Sequence, residues 1–223
     1  MRKSQYLSQE QFETLSQGAS ILESDERGIK VLRLSNGDIL KIFRVRNKCS
    51  IARIYSYARR FCRNADRLEK LGIPTVDVKQ LYHLEAARET AVLYAPLQGH
   101  TLRELMAARS LSAKEAKRIG VFIARLHRSG IHFRSLHLGN IVLSPDGELG
   151  LIDIADMSIY PWPLWCNTRA RSFSHLHRYP AQIEQLGLDV WQSIQDGYFG
   201  EAKLNRYCTV RLHQHLQKIS VFV

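Results

Sequence analysis

Two short segments near the middle of the chain carry side chains suited to phosphoryl transfer. Asn140 closes the segment Phe133–Asn140, and Asp153 follows a short apolar run. An amide oxygen and a carboxylate are suitable ligands for Mg²⁺ beside a nucleotide. Counting back from Asn140 in the pattern H-R-D-x-x-x-x-N puts Arg134 in the Arg position and Ser135 in the Asp position. We therefore predict metal ligands at Asn140 and Asp153, next to a catalytic loop without its usual base.

Ser135 is the gravest departure from that pattern, because a hydroxyl does not act as a general base near neutral pH without a partner that takes its proton. General-base catalysis contributes about 10²–10⁴ in rate, whereas positioning and electrostatics supply most of the acceleration in phosphoryl transfer. We therefore expect weakened rather than abolished catalysis. The predicted catalytic residues are Ser135, Arg134 and His137, and the candidates for the missing base are His137 and Asp156.

A third group of residues is predicted to bind ATP. Lys41 lies in a strand after the hairpin signal Asn36-Gly37, a position that suits a lysine in contact with the α- and β-phosphates. The period of two puts Ile39 on the same strand face, where it would cover the adenine. Tyr94 and Ala95 lie where the two halves of the chain meet and are predicted to form a hinge that binds the adenine edge. The alternatives are a surface lysine and a simple linker.

The hydrophobic pattern predicts the elements that position these residues. We expect an antiparallel N-terminal sheet with one helix, then a mainly helical half, which is an α+β fold of two lobes with domains at 1–95 and 96–223. The second domain holds the catalytic-like loop 133–140 and the metal-binding-like strand 151–155. The predicted strands are 19–23, 29–34, 39–45, 76–83 and 90–94, and the predicted helices are 50–71, 101–108, 113–129, 180–194 and 200–218.

Taken together, the order of Lys41, hinge, Asn140 and Asp153 resembles the lipopolysaccharide kinase superfamily of Gram-negative bacteria, and most closely its small toluene-tolerance-protein branch. His137 and Gly139 are similar to the H-G-D-x-H-x-G-N variant of small-molecule kinases. The likeness covers roughly residues 19 to 160. It implies a protein-kinase-like fold, ATP and Mg²⁺ as cofactors, and phosphorylation of a sugar hydroxyl on a lipid-linked acceptor at the cytoplasmic membrane face.

Several features depart from the kinase pattern. The first hairpin contains only Gly28, so no G-x-G-x-x-G loop covers the phosphates. The inward positions of helix 50–71 are Phe61, Asn64 and Leu68, with Glu69 facing outward, so Lys41 lacks an obvious acidic partner there. No A-P-E segment follows Asp153, which argues against a protein substrate. These departures favour an alternative, a pseudokinase that regulates envelope biosynthesis as a nucleotide-binding or scaffold module.

Composition narrows the partners and the compartment. The net charge of +11 favours an anionic partner such as a nucleotide, an acidic glycolipid or an anionic membrane surface, unless it only aids solubility. Nucleic acid is not expected, because no known recognition motif accompanies the charge. Without an apolar stretch or a signal peptide we expect a cytoplasmic protein, with peripheral contact at the inner membrane as an option. The scattered cysteines are predicted to be free thiols.

Overall fold

The computed structural model describes residues 3–44, 57–85, 89–178 and 180–219. The chain divides into two compact units. The first comprises Met1–Leu97 together with Asp153–Asp156, and the second comprises Gln98–Ile152 together with Met157–Val223. The four residues that begin at Asp153 thus pack with the N-terminal unit although the residues on either side of them belong to the other.

The first unit is built on a six-stranded sheet. Its strands are β1 (Ser4–Leu7), β2 (Ser20–Asp25), β3 (Gly28–Arg33), β4 (Ile39–Phe43), β5 (Asp77–Leu84) and β6 (Thr90–Ala95), in the order β1-β5-β6-β4-β3-β2. The strands predicted from the sequence, β2 to β6, pair antiparallel as expected. Strand β1 was not predicted, and it adds to the edge of β5 in parallel.

The hairpin between β3 and β4 fixes the register of the strand that carries Lys41. Gly37 has a positive φ of 87°, which a glycine adopts without steric cost. Its amide donates to the carbonyl of Leu34 at 2.9 Å. The Asn36-Gly37 prediction is confirmed, and Lys41 pairs across the sheet with Val31 on one side and Val92 on the other.

A helix lies against each face of this sheet. Helix α1 (Gln9–Leu15), which was not predicted, packs Phe12 and Leu15 against the core around Leu40 and Ile42. Helix α2 (Tyr57–Lys70) packs on the face that carries Phe43, whose ring centroid is 5.8 Å from that of Phe61.

The orientation predicted for α2 is also confirmed. Phe61, Asn64 and Leu68 are buried, whereas Glu69 is exposed. Residues 50–56 of the predicted helix lie outside the described residues.

The second unit is mainly helical. Its helices are α3 (Leu102–Ala108), α4 (Ala113–Arg128), α5 (Cys166–Leu176), α6 (Pro180–Leu186), α7 (Leu188–Glu201) and α8 (Arg206–Ile219). Its short strands are β7 (His100–Thr101), β8 (Ile131–Phe133), β9 (Ile141–Leu143), β10 (Leu149–Leu151) and β11 (Met157–Ile159). Thr101 caps α3 and Ser112 caps α4, each in a reciprocal capping box with the glutamate three residues later. Both predicted helix starts are confirmed, and so is the α+β class.

The C-terminal helices differ from the prediction. The predicted helix 180–194 is two helices, because Gly187 has a φ of 80° and ends the regular hydrogen bonding between α6 and α7. The helix predicted from Gly200 begins at Arg206, since Gly200 still belongs to α7. Helix α5 lies where no element was predicted.

The cysteine prediction is wrong for one pair. Cys166 and Cys208 form a disulfide between the first turns of α5 and α8, with their Cα atoms 5.5 Å apart. A separation of 42 residues leaves no local spacing signal, and only the packing of α5 on α8 brings the sulfurs together. Cys62 is a buried thiol in α2, and Cys49 lies outside the described residues.

Helices α4 and α7 cross with their backbones in contact. A Cβ atom added to Gly120 would lie 1.9 Å from the carbonyl oxygen of Ile194, and one added to Gly197 would lie 2.1 Å from the carbonyl oxygen of Lys117. Only glycine fits at both positions. The crossing is therefore specified by one glycine on each helix, Gly120 in α4 and Gly197 in α7.

Candidate functional site

The first unit brings Lys41 and Asp153 into direct contact. The ammonium of Lys41 forms an ion pair with Oδ1 of Asp153. The lysine side chain is 13% exposed and the aspartate side chain 49% exposed. The cation is therefore held near the surface beside a carboxylate that solvent or a ligand can reach.

Asp153 has an unusual backbone. It has a φ of 53°, in the left-handed region that few residues other than glycine enter. The residue follows β10 (Leu149–Leu151) by two positions and begins the segment that packs with the first unit. Strained backbone of this kind is enriched at functional sites, and here it turns the chain at the residue predicted to bind metal.

Helix α2 holds the segment after Asp153. The amide of Asn64, which is 1% exposed, donates through Nδ2 to the carbonyl of Ile154 at 2.7 Å. Arg60, one turn earlier on the helix, lies 4.0 Å from the carboxylate of Asp156. Sequence periodicity identified Asn64 as inward-facing but did not indicate its partner, because the partner is a backbone atom 90 residues away.

The residues predicted to bind adenine are neighbours in the same sheet. Ile39 and Tyr94 are paired across β4 and β6, and Ala95 pairs with Asp77 at the end of β6. The ring centroid of Tyr94 is 5.2 Å from that of Phe61.

The pKa of the Tyr94 phenol depends on burial and on the charge of Asp153. Burial raises its pKa well above the ordinary value, and the nearby negative charge of Asp153 raises that pKa further. Tyr94 therefore stays neutral at any physiological pH.

A cleft of about 610 Å³ opens beside Lys41 and Asp153 in the first unit. The hairpin of β2 and β3 contributes Asp25, Glu26, Arg27 and Lys30 to its lining. Gly28 has a φ of 107° and closes the turn of this hairpin, which is too short to form a glycine-rich loop. Acidic and basic side chains of this hairpin therefore line the cleft where such a loop would offer backbone amides, an arrangement that sequence reasoning did not identify.

Arg44 holds this hairpin in place. Its guanidinium donates to the carboxylate of Glu89 at 2.7 Å, to the carboxylate of Asp25 at 3.2 Å and to the carbonyl of Ile29 at 2.6 Å. The arginine thereby links the end of β4 to both strands of the neighbouring hairpin. Its role was missed from the sequence because it depends on three separate elements.

The second unit contains the loop 133–140 between β8 (Ile131–Phe133) and β9 (Ile141–Leu143). Nδ2 of Asn140 donates to the carbonyl of Ser135 at 2.8 Å. The amide of Ile152, the residue before Asp153, donates to the carbonyl of Asn140 at 3.1 Å. Because the side chain donates through its nitrogen, its oxygen is the atom suited to a metal.

The three predicted catalytic residues share this loop. Ser135 is half-buried and Arg134 is exposed. In the part of the chain that the structure describes, no side chain accepts a hydrogen bond from the Ser135 hydroxyl. Nδ1 of His137 accepts from the amide of Gly139 at 3.1 Å, so this nitrogen serves the local turn.

The structure thus groups the predicted residues by unit. Ile39, Lys41, Tyr94 and Asp153 share the first unit, where the Lys41–Asp153 ion pair is formed. Arg134, Ser135, His137 and Asn140 share the second. That Asn140 and Asp153 hold one metal ion remains a prediction.

The donors present fit a nucleotide with Mg²⁺. Magnesium in such sites takes one or two protein carboxylates or amides, with the remaining ligands from phosphate and water. The half-exposed Asp153 carboxylate and the Asn140 amide oxygen are donors of that type. Within the described ranges, no group of three or more His, Cys, Asp or Glu side chains forms a metal cage.

No known protein family and no curated protein matches the sequence. Among solved structures, the chain is similar to the bifunctional kinase-methyltransferase WbdD, with 15% identity and a TM-score of 0.43. The similarity covers 84% of this chain and 45% of that one, so this chain spans about half its length. None of the described helices is both long and apolar enough to cross a membrane. The distant similarity to WbdD does not bear on the function of this chain.

Proposed function

We propose that this protein is an ATP- and Mg²⁺-dependent phosphotransferase of the kinase-like class, acting slowly on a sugar hydroxyl of an anionic glycolipid. The observation that carries the proposal is the ion pair between Lys41 and Asp153. A cation beside a metal-binding carboxylate is what the transferring phosphate requires. The two residues are 112 positions apart in the sequence, and each was predicted for that role.

Each residue would have a distinct part in this reaction. Lys41 would exchange its contact with Asp153 for oxygens of the nucleotide phosphates. Asp153 and Asn140 would supply oxygen ligands for Mg²⁺, whose chemistry when bound is to neutralise charge on the transferring phosphate. Ile39, Tyr94 and Ala95 would contact the adenine.

Ser135 would line the acceptor site rather than deprotonate the acceptor. Its hydroxyl has no hydrogen-bonding base among the described residues, and His137 uses Nδ1 in its own turn. We therefore infer that positioning and charge supply the catalysis, with the contribution of a general base, about 10²–10⁴ in rate, largely absent.

The acceptor class rests on charge and on the family resemblance. With a net charge of +11, the surface attracts an anionic substrate, and a phosphorylated sugar core of the lipopolysaccharide type has that property. Attachment of the core to lipid would bring the reaction to a membrane surface.

A second candidate is a pseudokinase that binds nucleotide, or none, and regulates envelope biosynthesis. Ser135 favours it, and so does the buried face of α2, which presents Asn64 instead of an acidic partner for Lys41. The two candidates differ in whether phosphate is transferred, so binding and transfer have to be measured separately.

Binding is tested by thermal unfolding of the purified chain with and without millimolar ATP and MgCl₂. We expect a rise in the unfolding temperature that is lost in Asp153→Asn and in Lys41→Met. The matched control is Asp189→Asn, which changes an exposed aspartate in the first turn of α7. No rise in the wild-type protein would leave only the scaffold function.

Transfer is tested with γ-³²P-labelled ATP and isolated core oligosaccharide. Slow labelling that requires Asp153 would support the enzyme. Nucleotide binding without labelling of several anionic glycans would favour the pseudokinase.

A further inference from the structure

A basic groove runs between α5 and α8 in the second unit. It encloses about 680 Å³, and the residues that line it include Asn167, Arg171, Tyr207, Val210, Arg211 and Lys218. We name this the α5–α8 groove. The disulfide between Cys166 and Cys208 joins the two helices at one end of it. Nothing in the proposed phosphotransfer uses these residues.

The groove carries positive charge without compensation. The sequence has no Asp or Glu between Asp156 and Glu184, and none after Glu201. Arg171, Arg211 and Lys218 are all exposed, and within the described ranges no carboxylate pairs with any of them. The groove therefore attracts anions.

Aromatic side chains stand exposed at the same end as the disulfide. Trp165 is 75% exposed and Tyr207 is 66% exposed. Each directly precedes one of the linked cysteines, so both lie at the end of the helix pair that the disulfide joins, and Tyr207 lines the groove itself. Trp162, 53% exposed, lies three residues before Trp165 in a loop where its ring stacks on Tyr160 with centroids 6.0 Å apart.

An exposed aliphatic residue lies among the basic side chains of the groove. Val210 is 50% exposed and lies beside Arg211 on the groove side of α8. Tryptophan and tyrosine favour the headgroup level of a bilayer, and basic helices with such residues lie in its interface. A nucleic-acid backbone would pair with the arginines but would gain little from contact with valine.

We propose that the α5–α8 groove and its aromatic rim (Trp162, Trp165 and Tyr207) bind the surface of a membrane that contains anionic phospholipid. The cations contact the headgroup phosphates, while Trp165 and Val210 enter the boundary with the acyl chains. This interaction is independent of phosphotransfer, and either proposal can fail without the other.

The experiment is sedimentation with vesicles of phosphatidylcholine, with and without 30% phosphatidylglycerol. We expect binding only to the anionic vesicles, and weaker binding as NaCl rises from 0.1 to 0.5 M. A basic residue near an anionic surface contributes roughly fivefold in affinity. Arg171→Gln, Arg211→Gln and Lys218→Gln combined should therefore weaken binding by on the order of a hundredfold.

The matched control combines Arg33→Gln, Lys70→Gln and Lys114→Gln, three exposed cations outside the groove. It lowers the net charge equally and should weaken binding much less. Circular dichroism and thermal unfolding verify that both variants fold.

Tryptophan emission reports the rim directly. Anionic vesicles should shift the emission to the blue, and Trp162→Phe with Trp165→Phe should remove the shift, since Trp191 is 1% exposed. Equal effects of the groove and control variants would overturn the proposal. Binding of a labelled DNA duplex together with no binding to the vesicles would also overturn the proposal.

Discussion

The side-chain amide of Asn64 donates to the carbonyl of Ile154 at 2.7 Å and thereby joins the buried face of α2 to the residue after Asp153. In active protein kinases, a helix pairs an acidic side chain with the lysine that binds the nucleotide. In this chain Lys41 pairs with Asp153, and α2 holds the backbone that follows Asp153. Helix α2 therefore holds the segment after Asp153 through this neutral hydrogen bond and through the approach of Arg60 to Asp156.

Replacing Asn64 by leucine should destabilise the first unit. The change keeps the size of the side chain but leaves the carbonyl of Ile154 without this donor, and an unsatisfied buried polar group costs about 1–3 kcal/mol. Urea unfolding measures the loss. The control Asn167→Leu alters an exposed asparagine and should change the free energy of unfolding by less than about 0.5 kcal/mol. Equal losses in the two variants would contradict the role given to Asn64.

Replacing Ser135 by aspartate should raise the rate of phosphotransfer. The full contribution of a general base is about 10²–10⁴, and an introduced carboxylate is expected to provide at least about tenfold. Initial rates with γ-labelled ATP measure it, with Ser110→Asp as an exposed control. A wild-type rate typical of kinases would refute the inference that the missing base at Ser135 limits the rate of phosphotransfer.

The crossing of α4 and α7 should not tolerate a methyl group. Gly120→Ala and Gly197→Ala would each push a Cβ atom into a backbone carbonyl, so we expect loss of at least about 3 kcal/mol or failure to fold. Gly200→Ala is the matched control in the same helix, because open space surrounds that position. Helix propensity predicts a gain of up to about 1 kcal/mol there. Urea unfolding compares the three variants, and similar midpoints would show that the helices can move apart.

Acid should destabilise the protein through His127. Burial holds the pKa of His127 well below its ordinary value, and the nearby charge of Arg169 lowers that pKa further. Nδ1 of His127 contacts the hydroxyl of Tyr198 at 2.9 Å.

The direction of this effect follows from proton binding. As the pH falls below about 6.5, the unfolded state takes up a proton at this residue while the folded state does not. The free energy of unfolding should therefore drop by up to about 1.4 kcal/mol per pH unit. Urea titrations between pH 7 and pH 5 measure the slope. His127→Gln should reduce the slope, with the remainder coming in part from His177, whose pKa burial also lowers. The exposed control His100→Gln should leave the slope unchanged.

Local signals in the sequence predict the parts of the fold that depend on neighbouring residues. The Asn36-Gly37 turn, the starts of the helices near Thr101 and Ala113, and the inward face of α2 depend only on short patterns, and all are confirmed. Strand β1 and helix α1 are too short to give a periodic signal. The break at Gly187 was missed because a single glycine inside an apolar pattern does not by itself end a helix.

The candidate site was predictable in its residue types but not in its contacts. Spacing identified Lys41 and Asp153 separately, yet their ion pair depends on the packing of the segment after β10. Arg27 and Lys30 line the same cleft as Lys41 and Asp153, and the sequence contains no local sign of that. Long-range contacts of side chains with backbone, such as that of Asn64, leave no pattern in a single sequence.

The assignment of Asp153–Asp156 to the N-terminal unit has a consequence for anyone who dissects this protein. A truncated polypeptide ending at Leu97 would carry Lys41 without its carboxylate and Asn64 without its acceptor carbonyl. The N-terminal half is therefore incomplete as an expressed piece. The four residues that it lacks, Asp153–Asp156, are encoded more than fifty codons downstream.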